Sequence, residues 1–317
     1  MPRVRPRKLL GAVARSIVSL TLLIEKNVLL PGGKKLHETR KRFDLLRYRM
    51  EYEGAPDDIF IVTYPKSGTT WLQMIVYQLT SDGAMDFPHI TGVAPHLEVQ
   101  MIPWGRMLSD LRGTPHVVKS HLAYDDIPKG PGRYIYGVRN GLDVAVSYHH
   151  HAREYMPGWS QCPRDEFFSR FLTGAVPYGS WFEHVAGWLR NRDRLNVLVV
   201  TYEELRTDLE AGVKRIADFC GITIDPAAMP RILERCSFAF MRQHEAKFAL
   251  PGAPLPKPGR PEASFIRKGQ VGGWREEMDA QAASEFQAEC DRRLRGLGED
   301  MFRLLSGRGA PAGEPAL

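Results

Sequence analysis

The stretch DDIFIVTYPKSGTTWLQMIVYQL, residues 57–79, sets a strand, a turn and a helix in immediate succession. Ile59, Phe60, Ile61 and Val62 form a continuous apolar run, the pattern of a strand covered on both faces. Beyond the turn, Leu72, Val76 and Leu79 recur at helical spacing and give an apolar stripe, so a helix begins directly after the one glycine of the turn. The first backbone N–H groups of such a helix lack partners within it, and the helix dipole adds positive character at the same end, so the turn suits an anion. Lys66 contributes a cation, and Ser67, Thr69 and Thr70 contribute hydroxyl donors for phosphate oxygens. Together they form a phosphate cradle. It departs from the common nucleotide loop G-x-x-x-x-G-K-[ST], because its lysine precedes its glycine. The plainer reading of the same residues is a strand-to-helix turn capped by serine or threonine.

Outward from this unit, TPHVVKSH (114–121), RYIYGVRN (133–140) and NVLVVTYEEL (196–205) read as further short strands, the last running into a helix. LDVAVSYHHHAREY (142–155), RDEFFSRFLTG (164–174) and GSWFEHVAGWLRNR (179–192) read as helices between the third and fourth strands. AYDDIPKGPG (123–132) is a loop. The alternation predicts a single α/β domain over residues 36–305, with a central parallel β-sheet flanked by helices and a P-loop-like anion-binding loop. Residues 250–264, dense in proline and glycine, are expected to form a long irregular flap that orders over bound ligands. The tail 306–317 has the composition of a disordered end.

A chain of 317 residues, 43% hydrophobic, buries roughly three quarters of its unfolded surface and supports a large core. A formal charge of +6 favours anionic partners, whether nucleotides, nucleic acid or an acidic membrane. The four cysteines, Cys162, Cys220, Cys236 and Cys290, lack metal-ligand or redox-pair spacing and read as reduced thiols of a cytoplasmic protein. Residues 1–35 open on a basic cluster, and Arg15 interrupts the apolar stretch that follows, leaving less than the about 20 residues a membrane span needs. A basic helix with Leu9, Leu10, Val13, Ile17, Leu20 and Ile24 along one face suits packing on the domain or peripheral contact with an acidic membrane surface.

Several motifs in series carry a family resemblance. YPKSGTTW (64–71) resembles the 5′-phosphosulfate loop of the cytosolic sulfotransferases, and KSH (119–121) resembles their lysine and catalytic-histidine segment. VRNGLDVAVSYHHH (138–151) resembles the 3′-phosphate motif, VVTYEEL (199–205) the tyrosine segment, RCSF (235–238) the short adenine-side motif and FIRKGQVGGW (265–274) the closing R-K-G-x-x-G-x-W motif. The similarity spans roughly residues 56–305. It implies the donor 3′-phosphoadenosine 5′-phosphosulfate (PAPS), held at its 5′ end by Lys66, Ser67, Gly68, Thr69, Thr70 and Trp71. It implies Arg139, Ser147, Arg267, Lys268 and Gly269 at the 3′-phosphate, and Tyr202, Cys236 and Phe238 at adenine, with cysteine standing where threonine is common. The residue chemistry agrees: Arg139 and Ser147 can offer a planar guanidinium and a hydroxyl to one phosphate.

The resemblance also assigns chemistry. His121 matches the catalytic histidine, and an imidazole can take the acceptor proton at neutral pH. Lys119, two residues away in an extended segment, faces the same side, and Lys66 neutralises the bridging oxygen as the S–O bond breaks. From the family pattern, Ser147 restrains Lys66 until the acceptor arrives. His96 falls at the position that gates the acceptor pocket, and His149, His150 and His151, pointing in different directions on a helix, are expected to be structural. The expected partner is a small, largely hydrophobic phenol or alcohol, with no nucleic acid and no metal. Loops near 86–106, 155–180 and 240–264 line its pocket. An ATP-dependent small-molecule kinase, a non-catalytic nucleotide-binding module and a membrane-bound glycan sulfotransferase are the alternatives. REEMDAQAAS (275–284) departs from the family's dimer motif, which leaves the oligomeric state open.

Overall fold

The computed structural model describes residues 33–102, 105–111, 115–156, 158–249 and 264–308. Residues 1–32, the proline-rich stretch 250–263 and the end from 309 onward lie outside the described residues, and with them the amino-terminal amphipathic helix, most of the flap and most of the tail. Strands β1 (Ile59–Thr63), β2 (Val117–Ser120), β3 (Arg133–Val138) and β4 (Val197–Thr201) form one sheet in the order β2-β1-β3-β4. Every pairing is parallel, with Ile61 opposite Lys119 on one side and Ile135 on the other.

The helices are α1 (Gly33–Glu51), α2 (Thr69–Thr80), α3 (Gly141–Tyr155), α4 (Arg164–Thr173), α5 (Trp181–Arg190) and α6 (Tyr202–Thr207). They continue as α7 (Leu209–Cys220), α8 (Met229–Cys236), α9 (Phe238–Gln243), α10 (Ala280–Arg293) and α11 (Glu299–Ser306). α1 runs across the domain edge expected at residue 35, and its Tyr48 is fully buried. At the other end, α11 continues through Ser306 and Arg308 makes a two-pronged ion pair with Asp291, so packed chain extends past residue 305.

β1 is buried on both faces, as its unbroken apolar run requires. Successive side chains of a strand alternate sides, and here they serve two different cores. Phe60 and Val62, with Tyr134 and Tyr136 of β3, pack toward Trp181 and Trp188 of α5 and Phe171 of α4. Ile59 and Ile61, with Ile135, pack toward Leu72 and Ile75 of α2 and Val213 and Ile216 of α7. Each such fully buried side chain contributes about 1.5–3 kcal/mol over an exposed one, which fixes the helices against the sheet.

Because the strands are parallel, all four end at the same edge. The chain leaves β1 to one side for β2, then crosses to the other side of β1 for β3, so the direction reverses beside β1. A reversal of this kind opens a crevice at the carboxyl ends of the strands. His121, Arg139 and Tyr202 directly follow the ends of β2, β3 and β4, and Lys66 stands three residues past the end of β1, so they converge there although they are far apart in sequence.

Candidate active site

The cradle is built from a strained turn. Gly68 takes the N-cap of α2 at φ 95°, no side chain caps the helix, and a Cβ at this position would stand 3.0 Å from the Tyr202 ring. Lys66 and Tyr178 adopt left-handed backbone at φ 70° and 72°, a conformation that costs a non-glycine residue on the order of 1 kcal/mol or more. Ser67 is buried, and among the described residues its Oγ has no hydrogen-bond partner. The hydroxyls of Thr63 and Thr69 lie 2.6 Å apart, so Thr69 can accept from Thr63 and direct its own hydrogen elsewhere.

His121 stands where β2 ends. Its Nδ1 is 2.8 Å from the carbonyl of Thr63 and 3.4 Å from the Thr63 hydroxyl. A carbonyl only accepts, so that contact assigns the proton to Nδ1 and leaves the lone pair on Nε2. The His121 backbone N–H donates to Glu98 Oε1 at 2.6 Å, and Ser120 Oγ donates to Glu98 Oε2 at 2.9 Å. His96 Nε2 lies 2.9 Å from Glu98 Oε1, an ion-pair distance out of line for a hydrogen bond. Glu98 therefore clamps the strand end that carries His121. Burial opposes its ionisation, yet the neighbouring His96 and the His121 backbone N–H hold its carboxyl down at about 2. Burial, reinforced by Lys119 and His96, holds the His121 imidazole well below its ordinary range, so the ring is neutral and able to accept a proton.

The opposite wall is cationic. Arg139 donates to the Lys66 carbonyl at 3.3 Å and the Gln270 carbonyl at 2.8 Å, and its guanidinium lies 4.3 Å over the Tyr202 ring. Its Nε is buried without a partner. Asp143, in the first turn of α3, accepts from the backbone N–H groups of Gly272 and Trp274 at 2.7 and 3.0 Å and so pins the closing loop to the helix. Gly269, at φ 62°, leaves no room for a side chain, since a Cβ would stand 2.5 Å from the Phe238 ring. Arg267 and Lys268, expected at the 3′-phosphate, pair with Glu277 at 3.0 Å and Glu276 at 2.8 Å.

These walls enclose a cavity of about 430 Å³, within the range of small-molecule sites. Lys66, Gly68, Thr69, Thr70, Trp71, Lys119, His121, Arg139, Ser147, Tyr202, Phe238, Arg267, Lys268 and Gly269 all line it. Ser67 lies behind the wall, and so does Cys236, whose buried side chain is replaced at the site by a backbone role: its carbonyl accepts from the Trp71 indole at 2.7 Å. That bond sets Trp71 edge-on to Tyr202 at 5.3 Å. The Lys66 ammonium sits 4.9 Å over the Phe265 ring and makes no hydrogen bond to Ser147, with which it shares the cavity. Burial, with Arg139, Arg267 and Lys119 adding, lowers Lys66 to about 7.

His96 also lines the cavity. The histidine run divides: His149 packs against Phe167 in the core, whereas His150, paired with Glu277, and His151 line the cavity. Glu98, Asp143 and Glu277 were missed from the sequence.

A sulfotransferase domain model matches residues 56–298. Among curated proteins, the chain is 36% identical over 264 residues to sulfotransferase 1B1 of Mus musculus, covering 78% of this chain and 85% of that one. It is 33% identical over 269 residues to the 3-beta-hydroxysteroid sulfotransferase of Cavia porcellus, covering 82% and 91%. Among solved structures, mouse sulfotransferase SULT7A1 complexed with PAP superposes with a TM-score of 0.63 at 28% identity, covering 84% of this chain and 94% of that one. Retinol dehydratase in complex with androsterone and PAP gives 0.66 at 25% identity, covering 78% and 83%. With the cradle, the histidine and the cationic wall in one cavity of the shared fold, the chain belongs to the cytosolic sulfotransferase family.

Proposed function

We propose that this sulfotransferase takes PAPS as donor and sulfonates the hydroxyl of a small, largely apolar phenol or alcohol, with His121 as general base. The observation that carries the reading is the cluster of Lys66, Lys119, Arg139, Arg267 and Lys268 around one cavity, with Ser67 Oγ and Arg139 Nε buried beside it and unpartnered. Cations and idle donors of this density fit a ligand with two separated anionic groups. The solved relatives agree, since their structures hold PAP, and two retinol dehydratase complexes hold androsterone or retinol. PAPS supplies an activated sulfuryl group on a phosphate leaving group.

The chain's residues then have distinct tasks. Lys66, Thr69, Thr70 and the open N-terminus of α2 hold the 5′ anion, and Arg139, Ser147, Arg267, Lys268 and Gly269 hold the 3′-phosphate. Trp71, Phe238 and Tyr202 supply aromatic surface for adenine. His121 Nε2 takes the acceptor proton, with Nδ1–H fixed on the Thr63 carbonyl so that the ring cannot turn. Lys119 adds positive charge next to the transferring oxygens, and Lys66 neutralises the charge that develops on the leaving oxygen. Family membership displaces the kinase alternative, and turnover distinguishes this reading from a module that only binds nucleotide.

Calorimetry with adenosine 3′,5′-bisphosphate and adenosine 5′-phosphate tests the donor. Charge-assisted bonds from Arg139, Arg267 and Lys268 are worth about 1.5–3 kcal/mol each, so the bisphosphate is expected to bind about a hundredfold tighter or better. Equal affinities would remove the 3′-phosphate assignment.

A further inference from the structure

We infer that the exposed face of α1, with the basic chain that leads into it, docks this protein onto a bilayer bearing anionic headgroups. Docking of this kind is independent of the donor and acceptor assignments above. Charge is divided unevenly along the sequence: residues 1–50 hold thirteen Lys and Arg against three Asp and Glu, and residues 51–317 hold thirty against thirty-four. The first fifty residues thus carry +10 and the remainder −4, so the basic balance of the chain lies outside the part that builds the cavity. An asymmetry of this size marks a segment that meets a polyanionic partner.

α1 shows what this segment presents to its partner. Asp44 and Tyr48 are buried against the domain. Arg42, Leu46 and Arg49, at i, i+4 and i+7, form the opposite, exposed stripe, with Phe43 and Met50 half-buried beside it. Three large apolar side chains are exposed among the described residues; Val99 and Tyr178 line the cavity, and Leu46 does not. A leucine between two arginines suits the boundary of headgroups and acyl chains, where guanidinium groups meet phosphates and the apolar side chain sinks beneath them. The sequence before α1 favours lipid over nucleic acid, because fourteen of the residues 9–30 are Ala, Val, Ile or Leu and none is an aromatic that could stack on a base. Lys129 stands close to Arg49 but also to Asp125 and Asp126, so the positive stripe ends at the loop that carries them.

Cosedimentation of the full chain with vesicles of phosphatidylcholine, alone or with about 30% phosphatidylserine, tests the docking face. Binding is expected to the acidic vesicles only, and to weaken as salt is raised, because screening shortens the reach of the charges. Each arginine near an acidic surface is worth about fivefold in binding, so Arg42→Gln combined with Arg49→Gln should lower partitioning about twentyfold or more. Leu46→Ser should lower it about fivefold. Turnover of a water-soluble phenol without vesicles is expected to match wild type in these variants, which reports an intact fold. Should the α1 variants not fold, Arg3→Gln, Arg5→Gln, Arg7→Gln and Lys8→Gln combined leave α1 unchanged and should cost about a hundredfold or more. Equal binding to neutral and acidic vesicles, or to neither, would overturn the assignment, and so would unchanged partitioning of a folded α1 variant. Retention of duplex RNA at a salt concentration that releases the vesicles would make nucleic acid the partner and overturn it as well.

Discussion

On the reading proposed above, Lys66 is expected to make binding of the bisphosphate a proton-uptake reaction. Its ammonium is buried beside Arg139, Arg267 and Lys119, and it ionises near 7 where a free lysine ionises near 10.5. A bound 5′ anion reverses the balance of charge around it and returns it toward the ordinary value. The sign follows from linkage: the bound state holds the proton more tightly, so binding takes up a proton wherever free Lys66 is deprotonated. At pH 8 a group ionising near 7 is about nine tenths deprotonated, and at pH 6 about one tenth, so uptake at this residue rises from about 0.1 to about 0.9 proton per bisphosphate. Affinity is then level below about pH 6 and weakens up to about tenfold per pH unit above 7. Titration calorimetry in two buffers of different ionisation enthalpy reads the proton count directly. Glu203, pushed up to about 7 by burial and close to Arg139, adds a contribution of its own, and Lys66→Met separates the two by removing only the lysine's. Equal uptake in wild type and Lys66→Met at pH 8 would refute the reasoning.

Two substitutions probe the remaining parts of the site. His121→Ala is expected to slow turnover about a hundredfold or more while bisphosphate affinity changes little, measured by steady-state kinetics beside calorimetry; near-normal turnover with any acceptor the wild type uses would end its role as base. Gly269→Ala drives a methyl group into the Phe238 ring from a left-handed backbone position, so bisphosphate affinity should drop about tenfold or more with the fold intact by circular dichroism; unchanged affinity would show that the closing loop accommodates a side chain.

Much of this architecture was legible because its signals are local. The doubly buried β1 announces itself in four consecutive apolar residues, and the cradle in a lysine, a glycine and hydroxyls before a helix. Long-range partners leave no such mark. Asp143 holds Gly272 and Trp274 across 129 and 131 residues of chain, and nothing in LDVAV distinguishes that carboxylate from a helix-start acid. Glu98 sits in the π-helical turn Leu97–Met101, where helical periodicity fails, and its value lies in reaching across to β2. REEMDAQAAS was read only for the dimer motif it lacks, yet its Glu276 and Glu277 are the partners of Lys268 and Arg267. Cys236 was placed by its rank in a motif, and the structure shows that its backbone carbonyl, not its thiol, orients Trp71.

Several features that cost the folded chain stability meet at the cavity. The left-handed Lys66 and Tyr178, the idle Ser67 Oγ and Arg139 Nε, and a lysine unable to keep its full charge all stand on or just behind its wall. Lys66 and Arg139 stand on the wall itself, where an anion would restore the lysine's charge and pair with the guanidinium. Relief of this kind is available only to a ligand that reaches the cradle and the Arg139 wall together, since either anion alone leaves the other cations uncompensated. Arg267 and Lys268 sharpen the point: they already hold Glu277 and Glu276, so a weak or misplaced anion does not displace those carboxylates. On the reading proposed above, these carboxylates compete with the 3′-phosphate, and a phosphate placed by the full length of the donor is expected to displace them where a stray monoanion is not.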